Sequence, residues 1–125
     1  MKELDPDKDL SIDVTDLSTE FRMFPTTLFQ YYKYKAKVEA QRDMAKATLK
    51  ETKALCYKRI KSDMSLKLTE KGMEAEIDTD PVVIEANLKF IRAEHDATTW
   101  GGAVDSMKSK KDMLMQLGAD NRKEK

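Results

Sequence analysis

The sequence predicts an all-α protein: two long helices in a hairpin with one or two short helices, completed by self-association. Three observations predict it. Between Pro25 and about Ser62 there is no other proline and no glycine, and the run is rich in Ala, Lys, Glu, Leu and Met, all good helix formers. Asp80-Pro81 then opens a second long helical run, an acidic cap followed by proline at the first helical position, which ends at Gly118. Finally, 37% of the 125 residues are charged and 40% apolar, on the polar side of ordinary globular usage. That balance argues against a compact spherical core and for long amphipathic helices that share apolar faces with other subunits.

Residues 1–11 are acidic, contain Pro6 and read as a loose tail. Residues 12–62 form the first helical part. A short helix is expected from Asp13 or Thr15, both good N-caps, with Leu17, Phe21 and Phe24 at i, i+4, i+7 spacing. Pro25 should interrupt it or open the next helix. That next helix is about 57 Å long at 1.5 Å per residue. It carries Leu28, Tyr31, Tyr34, Val38, Ala45, Leu49, Cys56 and Ile60 on a broad apolar side.

Residues 63–80 are the connection. Thr69 can cap a short helix over Glu70–Ile77, weakened by Gly72, while the alternation of Met64-Ser65-Leu66-Lys67-Leu68 also permits a short extended piece. The last helix, over residues 81–118, takes its apolar contacts from Val83, Ile84, Leu88, Ile91, Trp100, Val104, Met107 and Leu114. Lys108, Lys110 and Lys111 lie near its negative end, Gly118 should stop it, and residues 119–125 are a polar tail. Gly101 and Gly102 in mid-helix are costly, at about 1 kcal/mol each against alanine. They permit a kink or the close approach of another helix, and close approach is the preferred reading. Trp100, Gly101, Gly102, Val104 and Met107 are therefore the expected oligomerisation residues.

Charge is segregated although the 23 basic and 23 acidic residues cancel. Residues 1–20 hold seven acids against two lysines, residues 42–61 seven cations against Asp43 and Glu51, and residues 70–85 six acids against Lys71. Within the basic block, Arg42, Lys46, Lys50, Lys53 and Lys61 recur at steps of three, four or eight, with Tyr57 in the gap. Such steps fall on one helical face, so a cationic stripe roughly 28 Å long is expected, beside the apolar side. Cations track a polyanion backbone and an aromatic ring stacks on an exposed base. The competing reading is a solvated helix face on a structural or adaptor protein.

Several chemistries are excluded or weakened. There is no Gly-rich phosphate loop and no G-K-[ST]. The single Cys56 cannot form an intrachain disulfide and lies on an apolar side; with His95 on another helix it makes no nucleophile pair. Glu74, Glu76, Asp78 and Asp80 lack the spacing of a calcium loop. No catalytic residue, metal or cofactor is expected. No apolar run approaches about 18 residues and no hydrophobic signal region opens the chain, so no membrane partner and a cytosolic location are expected.

With both halves laid out, the chain resembles the UvsY-type recombination mediators of tailed phages. The resemblance covers roughly residues 12–115. It rests on Ile12-Asp13-x-Thr15-x-Leu17; on Leu28, Tyr31 and Tyr32; on Leu55-Cys56-Tyr57-Lys58-Arg59-Ile60; on Glu70, Met73, Ile77, Asp80 and Val83; and on Asp96, Gly102-Ala103, Asp105 and Met107-Lys108-Ser109-Lys110. The resemblance implies a small non-enzymatic helical protein that forms a ring, for instance a heptamer, and works in DNA recombination and repair. It implies binding to single-stranded DNA, remodelling of the single-strand-binding protein and help for a RecA-like recombinase in forming its filament, in the host cytoplasm if phage-encoded. The family's Lys-x-Arg stretch near the end of the first long helix reads Lys58-Arg59 here, adjacent instead of spaced by one. The expected DNA-binding set is thus Arg42, Lys46, Lys50, Lys53, Tyr57, Lys58, Arg59 and Lys61.

Overall fold

The computed structural model describes residues 3–63 and 68–123, so the extended piece considered for Met64–Leu68 lies largely outside the described residues. The described chain is helical, with no strand: α1 (Pro6–Asp9), α2 (Leu17–Ser62), α3 (Glu70–Thr79) and α4 (Pro81–Lys123). The two long helices pack on one another, and the chain divides into two compact units. Unit 1 takes Met1–Lys37 and Thr98–Lys125, and unit 2 takes Val38–Ala97. The units cut across the linear division into an N-terminal and a C-terminal part, because each is built from a stretch of both long helices.

In unit 1, Phe24, Tyr31, Val104, Met107 and Leu114 form the buried core, with Leu4, Leu10, Ile12, Leu17 and Leu28 packed against it. Residues 3–11 are not a loose tail. Asp5 caps α1 by accepting from the Lys8 amide, with Pro6 at the first helical position. Lys110, buried among the core residues of α4, donates to the Asp9 carbonyl at 2.6 Å and pairs with Glu20 at 3.1 Å. The Tyr31 hydroxyl donates to the Asp9 carboxylate at 2.7 Å. Burial first, and then Asp9, push the Tyr31 phenol well above its ordinary range, so it remains a donor. A buried lysine needs such partners, and they hold the segment in place.

Pro25 neither breaks nor opens a helix; α2 is continuous through it. A proline in a helix interior costs about 3 kcal/mol. Phe24 and Tyr31 are buried on either side of it, and their packing offsets that cost. Asp16 begins α2 by accepting from the Thr19 amide at 3.3 Å, while Asp13 accepts from the Thr15 amide in the turn before it. Gly118 does not stop α4, which runs on to Lys123, and no described residue has positive φ. A Cβ at Gly118 would lie 3.0 Å from the Phe21 ring, so this glycine serves a close approach of an aromatic edge.

In unit 2 the core is Leu49, Cys56, Ile60, Val83 and Ala86, flanked by Met73, Ile77 and Phe90. Thr69 caps α3 by accepting from the Gly72 amide at 3.1 Å. Asp80 closes α3 and opens α4: its amide donates to the Ile77 carbonyl and its carboxylate accepts from the Val82 amide at 2.9 Å. One expectation fails here. Ile84, Leu88 and Ile91 are not core contacts but are exposed by 45, 46 and 51%. α4 has two apolar faces in this stretch, and the chain buries the one carrying the small Ala86 and Ala97, where the helices can approach closely.

Candidate nucleic-acid interface

The basic block lies on the part of α2 that belongs to unit 2. Leu49, Cys56 and Ile60 face the core and fix the rotation of the helix. That rotation leaves Lys46, Lys50, Lys53 and Lys61 exposed along one flank, with Arg42 half-buried at its start. Arg42 is tied to its neighbour Asp43 at 3.1 Å. Lys46, Lys50 and Lys53 are exposed and make no ion pair among the described residues. Tyr57 is 41% exposed on the same flank. The Lys61 ammonium sits 5.5 Å from the centre of its ring and donates to its hydroxyl at 3.4 Å.

Lys58 and Arg59 do not belong to this row. At about 100° of turn per residue, Arg59 falls on the far side of the buried Cys56–Ile60 line from the lysines, and Lys58 points away from both. Arg59 forms an ion pair with Asp80 and a longer contact from its guanidinium to the Cys56 sulfur at 3.6 Å. The hydrogen bond from Arg59, and then that from the Val82 amide, hold the Asp80 carboxyl below its ordinary range. Arg59 therefore fastens α2 to the start of α4, and its two-thirds-exposed side chain stands apart from the lysine row. The sequence signal for this was the acidic cap at Asp80, but the pairing spans 21 positions and is not periodic.

Cys56 and His95 are not brought together. Burial, and then the neighbouring Asp80, push the Cys56 thiol up, which leaves it protonated and a poor nucleophile. His95 is exposed, with only Asp96 beside it at 4.0 Å. Among the described residues no group of three or more His, Cys, Asp or Glu side chains is placed to hold a metal ion. No helix searched is long and apolar enough to cross a membrane.

Two of the expected oligomerisation residues are committed to the core. Val104 and Met107 are 0% exposed, taken wholly by the core of unit 1, so they offer no surface to another subunit. Trp100 is half-buried against Tyr34, at 4.4 Å between ring centres, and Tyr31, at 5.9 Å. Gly101 lies beside the Lys35 stem of α2, and a Cβ at Gly102 would meet nothing within 4 Å among the described residues. The exposed apolar surface that sequence reasoning missed is the Ile84–Leu88–Ile91 ridge. Its i, i+4, i+7 spacing is visible in the sequence, but the same spacing suits a core face.

No protein family, curated protein or solved structure matches this chain.

Proposed function

We propose that this chain is a non-enzymatic, single-stranded-DNA-binding recombination mediator that helps a RecA-like recombinase load onto DNA covered by single-strand-binding protein. The observation that carries the reading is the row Lys46–Lys50–Lys53, exposed on one flank of α2 and without an ion pair among the described residues, with the part-exposed Tyr57 ring and its Lys61 ammonium next in line. A structural helix face usually interleaves or pairs its charges. Here three lysines stand together and an aromatic face continues the row, which suits a phosphate backbone with unstacked bases. The Ile84–Leu88–Ile91 ridge supports self-association, since such an apolar face is suited to another copy. Repeated copies of the lysine row round a ring would let one strand wrap several subunits. The acidic block of residues 70–85, which a DNA strand avoids, is left for the recombinase and the single-strand-binding protein. The resemblance of residues 12–115 to UvsY-type mediators favours this reading over a helical adaptor protein.

The test is fluorescence anisotropy of a labelled oligo-dT across a salt series. Each lysine–phosphate contact contributes about 0.7 to the slope of log affinity against log salt for a single strand. The triple variant Lys46→Glu, Lys50→Glu, Lys53→Glu should bind far more weakly and show a shallower slope, while Lys71→Glu, an exposed site on α3, changes little. Light scattering should give an oligomer, and Leu88→Glu with Ile91→Glu should yield smaller species of unchanged helicity. Equal affinity of wild type and triple variant would hand the case to the adaptor reading.

A further inference from the structure

Unit 1 holds a recess of about 520 Å³, within the range of roughly 300–1,000 Å³ usual for small-molecule clefts. Its apolar wall is Leu4, Tyr34 and Trp100. The two rings touch at a tilt of 58°, and both residues remain partly exposed. Lys33 and Lys37 stand on the rim. The Lys37 ammonium lies 5.7 Å from the centre of the Tyr34 ring, and that of Lys33 lies 5.6 Å from the Phe29 ring, itself 63% exposed. Neither lysine makes an ion pair among the described residues. The remaining wall is polar, from Gln30 and the Glu3 carboxylate.

From this arrangement we infer that the recess takes one unpaired nucleobase of a bound DNA strand, with Lys33 and Lys37 holding the phosphates on either side of it. The inference rests on the single-strand-binding reading above. A flat apolar ring with an anion attached on each side is what the site complements. The aromatic wall gives a stacking surface that tolerates any base, and two lysines one helical turn apart meet consecutive phosphates. Glu3 repels a phosphate from the interior, so the base enters and the backbone stays on the rim. An apolar side chain of another protein would use the wall but gain nothing from the lysines, and it would desolvate Glu3 without a partner.

Trp100 is the chain's one tryptophan, so its emission reports on the recess. The full chain is titrated with a 20-nucleotide oligo-dT and, separately, with an abasic oligomer of the same length and charge, following Trp100 emission and anisotropy of the labelled strand together. The expected result is quenching by oligo-dT that tracks binding, and binding of the abasic strand with no quenching. Tyr34→Ala should weaken oligo-dT binding about tenfold and leave abasic binding unchanged. The exposed rim pair Lys33→Glu with Lys37→Glu, which leaves the core intact, should suppress the quenching even if Tyr34→Ala does not fold. Binding of oligo-dT without quenching, or equal quenching by both strands, overturns the recess and leaves the α2 lysine row standing. Absence of binding by either strand overturns both.

Discussion

Removing the ammonium of Lys110 should unfasten the N-terminal segment from unit 1. Lys110→Met keeps the length of the stem and the packing around it while deleting the charge. The ammonium donates to the Asp9 carbonyl at 2.6 Å and pairs with Glu20 at 3.1 Å, and its side chain is 8% exposed. A hydrogen bond to a charged group contributes about 1.5–3 kcal/mol. Breaking a buried ion pair from one side costs about 3–5 kcal/mol. Glu20 softens the second figure, because a fifth of its side chain reaches solvent and its other oxygen still accepts from the Asp13 amide at 3.0 Å. The loss should therefore be about 2–4 kcal/mol, a large part of the ~5–15 kcal/mol that holds a domain folded. Urea unfolding followed by Trp100 emission reads unit 1 directly. Amide exchange should show residues 3–13 losing protection first, since Leu4, Leu10 and Ile12 depend on this anchor for their place on the core. Tyr31→Phe, which removes one hydrogen bond to the Asp9 carboxylate, should cost about 1.5–3 kcal/mol. An Lys110→Met protein within ~0.5 kcal/mol of wild type, with the same exchange pattern, would refute the anchoring argument.

Gly102→Ala should stabilise the protein by about 0.5–1 kcal/mol, since the new methyl meets nothing within 4 Å and the helix gains propensity. A raised thermal midpoint with unchanged oligomer size is the expected readout, whereas loss of assembly would restore Gly102 as a helix-approach site between subunits. Asp80, held below the ordinary carboxylate range chiefly by Arg59, contributes stability that is present above its unfolded value of about 3.8 and fades as pH falls through its lower folded value. Acid titration of wild type should show a loss of unit 2 helicity below about pH 4. That limb should flatten in Arg59→Gln, a variant that is less stable at neutral pH yet binds oligo-dT much as wild type does. An Arg59→Gln protein that keeps its stability and loses DNA would return Arg59 to the interface.

The sequence by itself determined the helical class, the break between the long helices and the rotation of α2. Leu49, Cys56 and Ile60 share one face by spacing alone, and that face carries its neighbouring lysine row with it, so the candidate interface was legible from local periodicity. The Asp80-Pro81 start of α4 was legible too, because a cap and a first-turn proline act within a few residues. Only tertiary packing decided the rest. Pro25 and Gly118 signal breaks locally, but both long helices run through them, with Phe24 and Tyr31 buried on either side of the proline and the edge of Phe21 lying close over the glycine. The acidic N-terminus looked unstructured because its partners, Tyr31 and Lys110, lie 22 and 101 positions away. α4 carries two apolar faces, and composition favoured Ile84, Leu88 and Ile91, yet the chain buries Ala86 and Ala97, because small side chains let paired helices approach closely. The same long-range pairing commits Arg59 to Asp80 and builds the Tyr34–Trp100 recess from residues 66 positions apart, beyond the reach of any helical period.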